Sequence, residues 1–192
     1  RMDWDIVSLL IAAGADPAAS QSQSARRSLV WTSVEQRRWD VTKQLMDTKF
    51  VDPNVSNAEG HTLILQAAKE TQWELVLVLL NQGADPSLGK TKAGETALIF
   101  AAEAKQWHIF DQMLKQGADV NGDRDRLGKT ALHLAITEAP REVVAHTLQG
   151  SSLSTIRARD QNGITPKKFA AMRDNAEILR LLEQRAAELE EY

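Results

Sequence analysis

The chain contains no cysteine, which excludes disulfide bonds and thiolate chemistry and leaves the redox compartment undetermined. No apolar run approaches the length of a membrane span, so we expect no membrane insertion. The net charge of −3 gives no reason to expect a nucleic acid or an anionic membrane as a partner. Only 5% of the residues are aromatic, whereas 43% are hydrophobic, with much alanine and leucine, which indicates a folded protein of helical composition.

A repeat of 34 residues runs through the middle of the chain. Gly60, Gly94 and Gly128 follow one another at this step. A fixed period of roughly 20–50 residues is typical of stacked supersecondary units. The other residues that keep the step are Thr62, Thr96 and Thr130, then Trp73 and Trp107, and then Gly83 and Gly117.

Each unit predicts a helix, a tight turn, a second helix and an extended loop. The first apolar run ends in Ala67-Ala68, and paired alanines favour a helix that a neighbour can approach closely. A second apolar run extends from Trp73 to Leu80, and Gly83 stands where a helix can end in a left-handed residue. Because no single unit can bury its apolar face, neighbouring units must stack.

These residues resemble the ankyrin repeat. The segment 128–135 (GKTALHLA) is similar to the family pattern G-x-T-P-L-H-x-A, and Leu79-Leu80 with Gly83-Ala84-Asp85 is similar to its second half. The resemblance implies an all-α ankyrin-repeat solenoid of about five and a half repeats with hairpin-like loops, as one domain. The expected divisions are a partial repeat 1–20, a degenerate repeat 21–54, repeats 55–89, 90–124 and 125–158, and a C-terminal capping repeat 159–192.

The beginning of the chain departs from the repeat pattern. Trp4 to Gly14 matches the second half of a unit whose first helix would lie upstream of Arg1, so either the native protein continues upstream or this half unit serves as an irregular cap. Residues 18–24 predict a flexible polar loop. Residues 28–31 (SLVW) replace the helix-start signature, and residues 49–54 (KFVDPN) carry one extra residue where the glycine turn should be. Further along, residues 150–155 predict a longer, serine-rich loop.

We find no candidate catalytic set. Residues 83–91 look like a phosphate loop, but five residues separate the glycines where four are needed, and the segment follows a helix rather than a strand. The four histidines lack metal-ligand spacing, so we expect no metal or cofactor. The tryptophans at one repeat position could form an aromatic ladder for a ligand or pack half-buried, and their strict period favours packing.

The remaining candidate for function is a surface. In ankyrin stacks partners usually dock on the loop tips and on the inner face of the first helices, where we expect exposed side chains. The resemblance therefore implies a non-catalytic module for protein–protein interaction. Its candidate binding residues are Glu59, His61, Lys69, Glu70, Lys92, Glu95, Glu103, Arg126, Leu127, Lys129 and Glu138.

Two functions remain open at this point. The chain is either a stand-alone binder, monomeric by itself, that regulates or inhibits a partner such as an enzyme, or the targeting arm of a larger chain. In the second case a catalytic domain, for instance that of a bacterial effector or an enzyme, would lie upstream of Arg1. Family base rates favour a cytoplasmic setting, while export or a periplasmic location stays open. The length of the native open reading frame would separate the two functions.

Overall fold

The computed structural model describes residues 3–15 and 23–191. The chain divides into two compact units, unit 1 from Arg1 to Ala84 and unit 2 from Asp85 to Tyr192. In the described ranges the regular structure is helical, and an isolated antiparallel bridge joins Ser56 to Thr62. None of the described helices is long and apolar enough to cross a membrane. The prediction of an all-α fold is confirmed.

Within 3–15 and 23–84, unit 1 contains five helices. They are α1 (Trp4–Ala12), α2 (Gln23–Glu35), α3 (Trp39–Asp47), α4 (Leu63–Lys69) and α5 (Trp73–Asn81). The first helices α2 and α4 pack against the second helices α3 and α5, and α1 packs against α3 as α3 does against α5. Helix α1 is therefore a second helix.

Within 85–191, unit 2 contains seven helices. They are α6 (Ala97–Glu103), α7 (Trp107–Lys115), α8 (Ala131–Glu138), α9 (Arg141–Gly150), α10 (Leu153–Ile156), α11 (Pro166–Met172) and α12 (Ala176–Glu190). The first helices α6, α8 and α11 form one layer, and the second helices α7, α9 and α12 form the other. The core of the C-terminal part lies between the layers, around Leu132, Val144 and Leu182.

Threonine and alanine recur at fixed positions of each repeat because of the way in which the first helices begin and pack. The hydroxyl of Thr62, Thr130 or Thr165 accepts a hydrogen bond from the backbone N–H three residues later and so caps its helix. Five residues after the capping threonine stands a fully buried alanine, as at Ala67 and Ala135. A small side chain is needed there because the helix packs on several sides at once, and an interior at crystal-like density has no space for a larger one.

A hairpin-like loop tip precedes each of the first helices α4, α6, α8 and α11. In each tip one side chain accepts at least one hydrogen bond from a backbone N–H group of the same tip. At the tip of residues 125–129, Asp125 Oδ1 accepts from the N–H groups of Leu127 (2.8 Å) and Lys129 (2.7 Å). Gly128 has φ +75°, and a Cβ there would lie 3.1 Å from Gln161 N, which donates to Leu127 O in the neighbouring tip. Glycine is therefore required both for the left-handed backbone and for the close approach. Asn57, Thr91 and Asp160 hold the other three tips.

The degenerate repeat replaces this tip with a longer helix. Gln23, which stands 34 residues before Asn57, is the first residue of α2. Helix α2 has 13 residues, whereas α4, α6 and α11 have 7 each. The loop predicted for residues 18–24 is therefore wrong at its end, because residues 23 and 24 are helical, and the rest of that prediction lies outside the described residues.

The extra residue predicted within residues 49–54 lies after the turn. Lys49 itself takes the left-handed position, with φ 58°, and its N–H bonds to Met46 O as that of Gly83 bonds to Leu80 O. The inserted residue follows as the exposed Phe50.

The serine-rich loop predicted for residues 150–155 is also wrong. Helix α9 continues to Gly150, and the hydroxyl of Ser152 caps α10 by accepting from Thr155 N. Serine favours this cap position, so the serines start a helix.

A residue that carries a side chain and adopts the left-handed backbone conformation is strained. Replacing such a residue by glycine is therefore predicted to stabilise the fold. Thr71, between α4 and α5, has φ 56° and is exposed, although a β-branched residue is strained in this region. We expect Thr71→Gly to raise the free energy of unfolding by about 0.5–1 kcal/mol, the relief of strain exceeding the added unfolded-state entropy. Urea denaturation measures the change. Lys69→Gly, at the end of α4, is the control and should lower stability by roughly 0.5–1 kcal/mol. Equal losses in both variants would contradict the prediction.

His133 links two neighbouring repeats within unit 2. Its Nδ1 accepts from Thr130 N (3.2 Å), so its Nε2 carries the hydrogen and donates to Ile164 O (3.0 Å). Burial lowers the pKa of His133, although the bond to Ile164 opposes the shift. The imidazole is therefore held neutral in the fold, since a proton on Nδ1 would face the donor of Thr130.

This arrangement predicts a pH dependence of stability. An unfolded histidine has a pKa of about 6.5, and the folded value is lower, so the unfolded state binds more protons as the pH falls below about 6.5. The stabilisation is complete above that pH and is lost as the solution is acidified. Ile99 occupies the same repeat position, so His133→Ile suits the fold. We expect denaturation between about pH 7.5 and 5.5 to show a shallower loss of stability in His133→Ile. An unchanged slope would contradict the assignment.

Candidate protein-binding surface

The first helices of unit 2 present one set of apolar side chains that their packing leaves half-buried. Phe100, Leu134 and Phe169 stand four residues after the N-cap residues Thr96, Thr130 and Thr165, at the same repeat position. Because α6 packs against α8 and α8 against α11, the three residues occur in helices that lie side by side.

Residues three and four positions later share that helix face. They are Glu103 on α6, Thr137 and Glu138 on α8, and Met172 on α11 with Arg173 at its C-cap, and all are partly or fully exposed. The side chain of Arg173 donates to Thr137 O, which connects α11 to α8. We call Phe100, Glu103, Leu134, Thr137, Glu138, Phe169, Met172 and Arg173 the inner face of unit 2. It has an apolar centre with charges along the helix ends.

The loop tip beside Phe169 contributes to the same surface. Lys129 Nζ lies 5.4 Å from the centre of the Phe169 ring, and the ring of His133 meets it edge-on at 6.4 Å. The contacts with Lys129 and His133 hold the Phe169 ring in one orientation. Leu127, at the tip, is 54% exposed. Of the predicted residues, Glu103 and Glu138 therefore belong to the inner face, and Leu127 and Lys129 border it.

Glu95 is not an exposed tip residue, contrary to prediction. It is 3% exposed, and its carboxylate accepts from Arg126 Nε (3.0 Å) and from the Thr91 hydroxyl (3.0 Å). A buried carboxylate must be paired, and its partners here belong to unit 2 itself. Arg126 is exposed as predicted, but reversing its charge would leave Glu95 buried beside a like charge. The loss in free energy of unfolding from such a change would exceed the ~0.5 kcal/mol that is typical of surface substitutions.

The helix-end acids of unit 2 differ in their electrostatic surroundings. Although Glu103 is exposed to solvent, partial desolvation of its carboxylate and the negative charges of Asp125 and Glu95 raise its pKa, and the charge of Arg126 opposes this shift. The pKa of Glu138 is lowered because Lys105 Nζ lies 2.5 Å from its carboxylate. Glu103 therefore lacks a full counter-charge, and a cation brought next to it would stabilise its ionised form.

Unit 1 carries a polar surface at the corresponding positions. Gln66 stands where Phe100 stands in α6. Glu70 pairs with Arg37 at 3.3 Å, and Glu59 lies 3.5 Å from His61. Lys69 is exposed. The four residues predicted in this unit therefore form a charged patch without an apolar centre.

Sequence reasoning missed the apolar centre of unit 2. Phe100 and Leu134 are 34 residues apart and Phe169 follows after 35, so the repeat itself contained the signal. It was missed because an apolar residue within an apolar helical run is expected to be core. Only the position of the neighbouring helices shows that this side of the run is left open.

Unit 1 has a cleft where the missing tip leaves a gap. It measures about 840 Å³ and lies between α2 and residues 51–58. Trp31 lines it but is only 7% exposed. The Trp31 Nε1 atom is buried without a partner among the described residues.

The tryptophans of the repeat position also pack, as predicted. Trp4 is buried and Trp107 meets Phe110 edge-on.

The described residues, 3–15 and 23–191, contain no cluster of His, Asp or Glu that could hold a metal ion. Lys90, which a phosphate loop would direct at a nucleotide, instead lies 2.5 Å from Asp123 Oδ1. We therefore expect the chain to show no saturable ATP binding in calorimetry and no nucleotide hydrolysis. Binding that is lost in Lys90→Ala would contradict this expectation.

The comparison with known families agrees with this architecture. A family model described as Ankyrin repeats (3 copies) matches residues 66–155. Residues 66–155 are therefore similar to ankyrin repeats. A search of curated proteins finds no match to the chain. Ankyrin repeats are in general protein–protein interaction modules and are generally non-catalytic, and their matched range here includes α6, α7, α8 and α9 with Phe100 and Leu134.

Proposed function

We propose that the chain binds a protein partner through the inner face and loop tips of unit 2, and thereby regulates or inhibits that partner without catalysing a reaction. The observation that carries this proposal is the row of Phe100, Leu134 and Phe169 on three neighbouring first helices. Rigid apolar side chains at the centre of a surface, surrounded by charges, are typical of interface hot spots.

The helices behind the row make it suitable for binding. Phe100 and Leu134 project from helices whose other faces are buried, as Leu98 and Leu132 show. Little side-chain or backbone freedom is lost when a partner covers such residues, so more of the contact energy appears as affinity. The proposed rim consists of Lys92, Arg126, Leu127 and Lys129 on the tips and Glu103 and Glu138 at the helix ends.

The surface also suggests what the partner presents. Its centre should be apolar, to match the row, and a lysine or arginine should approach Glu103, whose carboxylate lacks a full counter-charge. The charged patch of unit 1, formed by Glu59, His61, Lys69 and Glu70, is proposed as a separate contact that supports orientation more than affinity.

Capture from a native lysate with matched variants tests the proposal. Phe100→Gln with Leu134→Gln makes the inner face polar, and glutamine suits the fold because Gln66 occupies this position in α4. Leu77→Gln is the control. Leu77 is a half-buried apolar residue on the second helix α5, where α7 carries Asp111.

A partner that docks on the inner face should be retained by the wild type and by Leu77→Gln, and lost with the double variant. Equal capture by all three proteins would place the site elsewhere. If the partner has an activity, adding one equivalent of the chain should change that activity, and the double variant should not. An activity unchanged by a bound wild-type chain would refute regulation while leaving binding intact.

A further inference from the structure

Unit 2 contains two asparagine–glycine pairs. They are Asn121-Gly122, in the loop between α7 and α8, and Asn162-Gly163, in the loop tip between α10 and α11. This dipeptide is chemically labile, because glycine has no Cβ and its backbone nitrogen can approach the amide of the preceding asparagine. The two pairs look alike in sequence, but the structure gives the two asparagine side chains opposite surroundings.

The side-chain amide of Asn121 is held at both of its polar atoms. Its Oδ1 accepts from Ser152 N (2.8 Å) and from the Thr155 hydroxyl (2.7 Å). Its Nδ2 donates to Gly150 O (2.9 Å) and to Asp119 Oδ1 (3.0 Å). These bonds tie the amide to the turn between α9 and α10, so its carbonyl carbon is kept from turning toward the following backbone nitrogen.

The side-chain amide of Asn162 has no such restraint. Asn162 is exposed, and its side chain makes no hydrogen bond within the part of the chain that the structure describes. The restraint on this pair is a single backbone bond, from Gly163 N to Asp160 O (2.9 Å). A local opening of the tip that breaks this one bond exposes the Gly163 nitrogen to the amide, whereas four bonds must break to free the amide of Asn121.

We propose that Asn162 is a site of spontaneous deamidation, from which the fold protects Asn121. The backbone nitrogen of Gly163 attacks the side-chain carbonyl carbon of Asn162, and ammonia leaves as a five-membered succinimide ring closes. Water then opens the ring at either carbonyl and leaves aspartate or isoaspartate. The reaction consumes a water molecule, releases ammonia and adds one negative charge to the loop tip.

The isoaspartate product changes the backbone of the tip. The chain then runs through the former side chain, which lengthens the tip by one methylene group ahead of Ile164. Ile164 O accepts from Asp160 N (3.0 Å) and from His133 Nε2 (3.0 Å), and the His133 ring is buried. Displacing this carbonyl leaves a buried donor without its acceptor, which is costly. The modification is therefore expected to loosen the last repeat.

Peptide mapping of a single sample tests the proposal with an internal control. The chain is aged in mildly alkaline buffer and digested with trypsin, which places Asn162 in the peptide 160–167 and Asn121 in the peptide 116–124. Mass spectrometry measures the fraction of each peptide that is converted. In the folded chain we expect Asn162 to convert at least about tenfold faster than Asn121, because freeing the Asn121 amide breaks four hydrogen bonds. In urea the two rates should be similar.

A variant with one bond fewer tests the protection itself. Thr155→Val keeps the shape of the side chain and removes the hydroxyl that donates to Asn121 Oδ1. It should speed conversion at Asn121 and leave the rate at Asn162 unchanged. Equal rates at the two asparagines in the folded chain would overturn the proposal. So would a difference that persists in urea, because the amino-acid sequence rather than the fold would then set the rates.

Hydrogen exchange tests the consequence for the fold. Ion exchange separates the deamidated chain by its added charge, and amide exchange is then measured in α11. We expect faster exchange in the isoaspartate form than in the fresh chain. Asn162→Asp is the matched control, since it adds the charge without the methylene group and should exchange like the wild type. Equally slow exchange in the isoaspartate form would overturn the predicted loosening of the last repeat.

Discussion

Replacing Leu132 by alanine is expected to lower the free energy of unfolding by about 2–5 kcal/mol. Leu132 is fully buried in the core of unit 2, within the cluster that includes Val144, Ile156 and Leu182. The substitution removes three carbons from a closely packed interior, and the surrounding helices relax only in part, so a cavity adds to the lost burial. Because neighbouring repeats hold one another in place, damage at this site should spread along unit 2.

Urea denaturation followed by circular dichroism measures this loss. Leu127→Ala is the matched control, since Leu127 is an exposed leucine at a loop tip five residues earlier. Its effect should stay within about 0.5 kcal/mol. Similar small losses in both variants would show that the core is not as closely packed as the structure indicates.

Phe100→Gln is expected to weaken partner binding by about 2 kcal/mol or more, roughly 30-fold, with little change in fold. Phe100 is part of the apolar centre of the proposed surface, and glutamine is the residue that α4 carries at the same position. Losing a rigid aromatic anchor removes apolar contact that the partner cannot replace with water.

Calorimetric titration with the partner measures the change, and hydrogen exchange of α6 verifies the fold. Lys92→Glu, at the rim, should instead alter the association rate and its salt dependence while leaving the dissociation rate nearly unchanged. Leu77→Gln should bind like the wild type. If Phe100→Gln keeps full affinity, the apolar row does not anchor the partner. If Lys92→Glu alone abolishes binding, charge rather than apolar contact dominates the interface.

Glu95 was predicted to be a binding residue from its position in the repeat, but that position does not reveal which distant residues contact it. Its place in a loop tip suggested exposure, because loops usually lie at the surface. In the structure the neighbouring tip brings Arg126 onto the carboxylate, so the pair is satisfied internally. Arg126 follows Glu95 by 31 residues, and no local pattern reports a contact over that separation.

Local chemistry and period determined most of the architecture from sequence alone. Threonine caps, alanine spacing and glycine turns act within one repeat, so the helices of 60–148 and the similarity of residues 66–155 to ankyrin repeats were predictable from their residues. Even the replacement of glycine by Lys49 keeps the register, since Lys49 stands ten positions after Trp39 as Gly83 stands ten positions after Trp73.

Tertiary packing alone decided which apolar residues are covered. Phe100 and Leu98 look alike in sequence, because each belongs to an apolar run at helical spacing. Burial depends on whether another helix occupies the space against a given face, and that space is filled by residues tens of positions away. The open centre of unit 2 therefore became visible only once the neighbouring helices were in place.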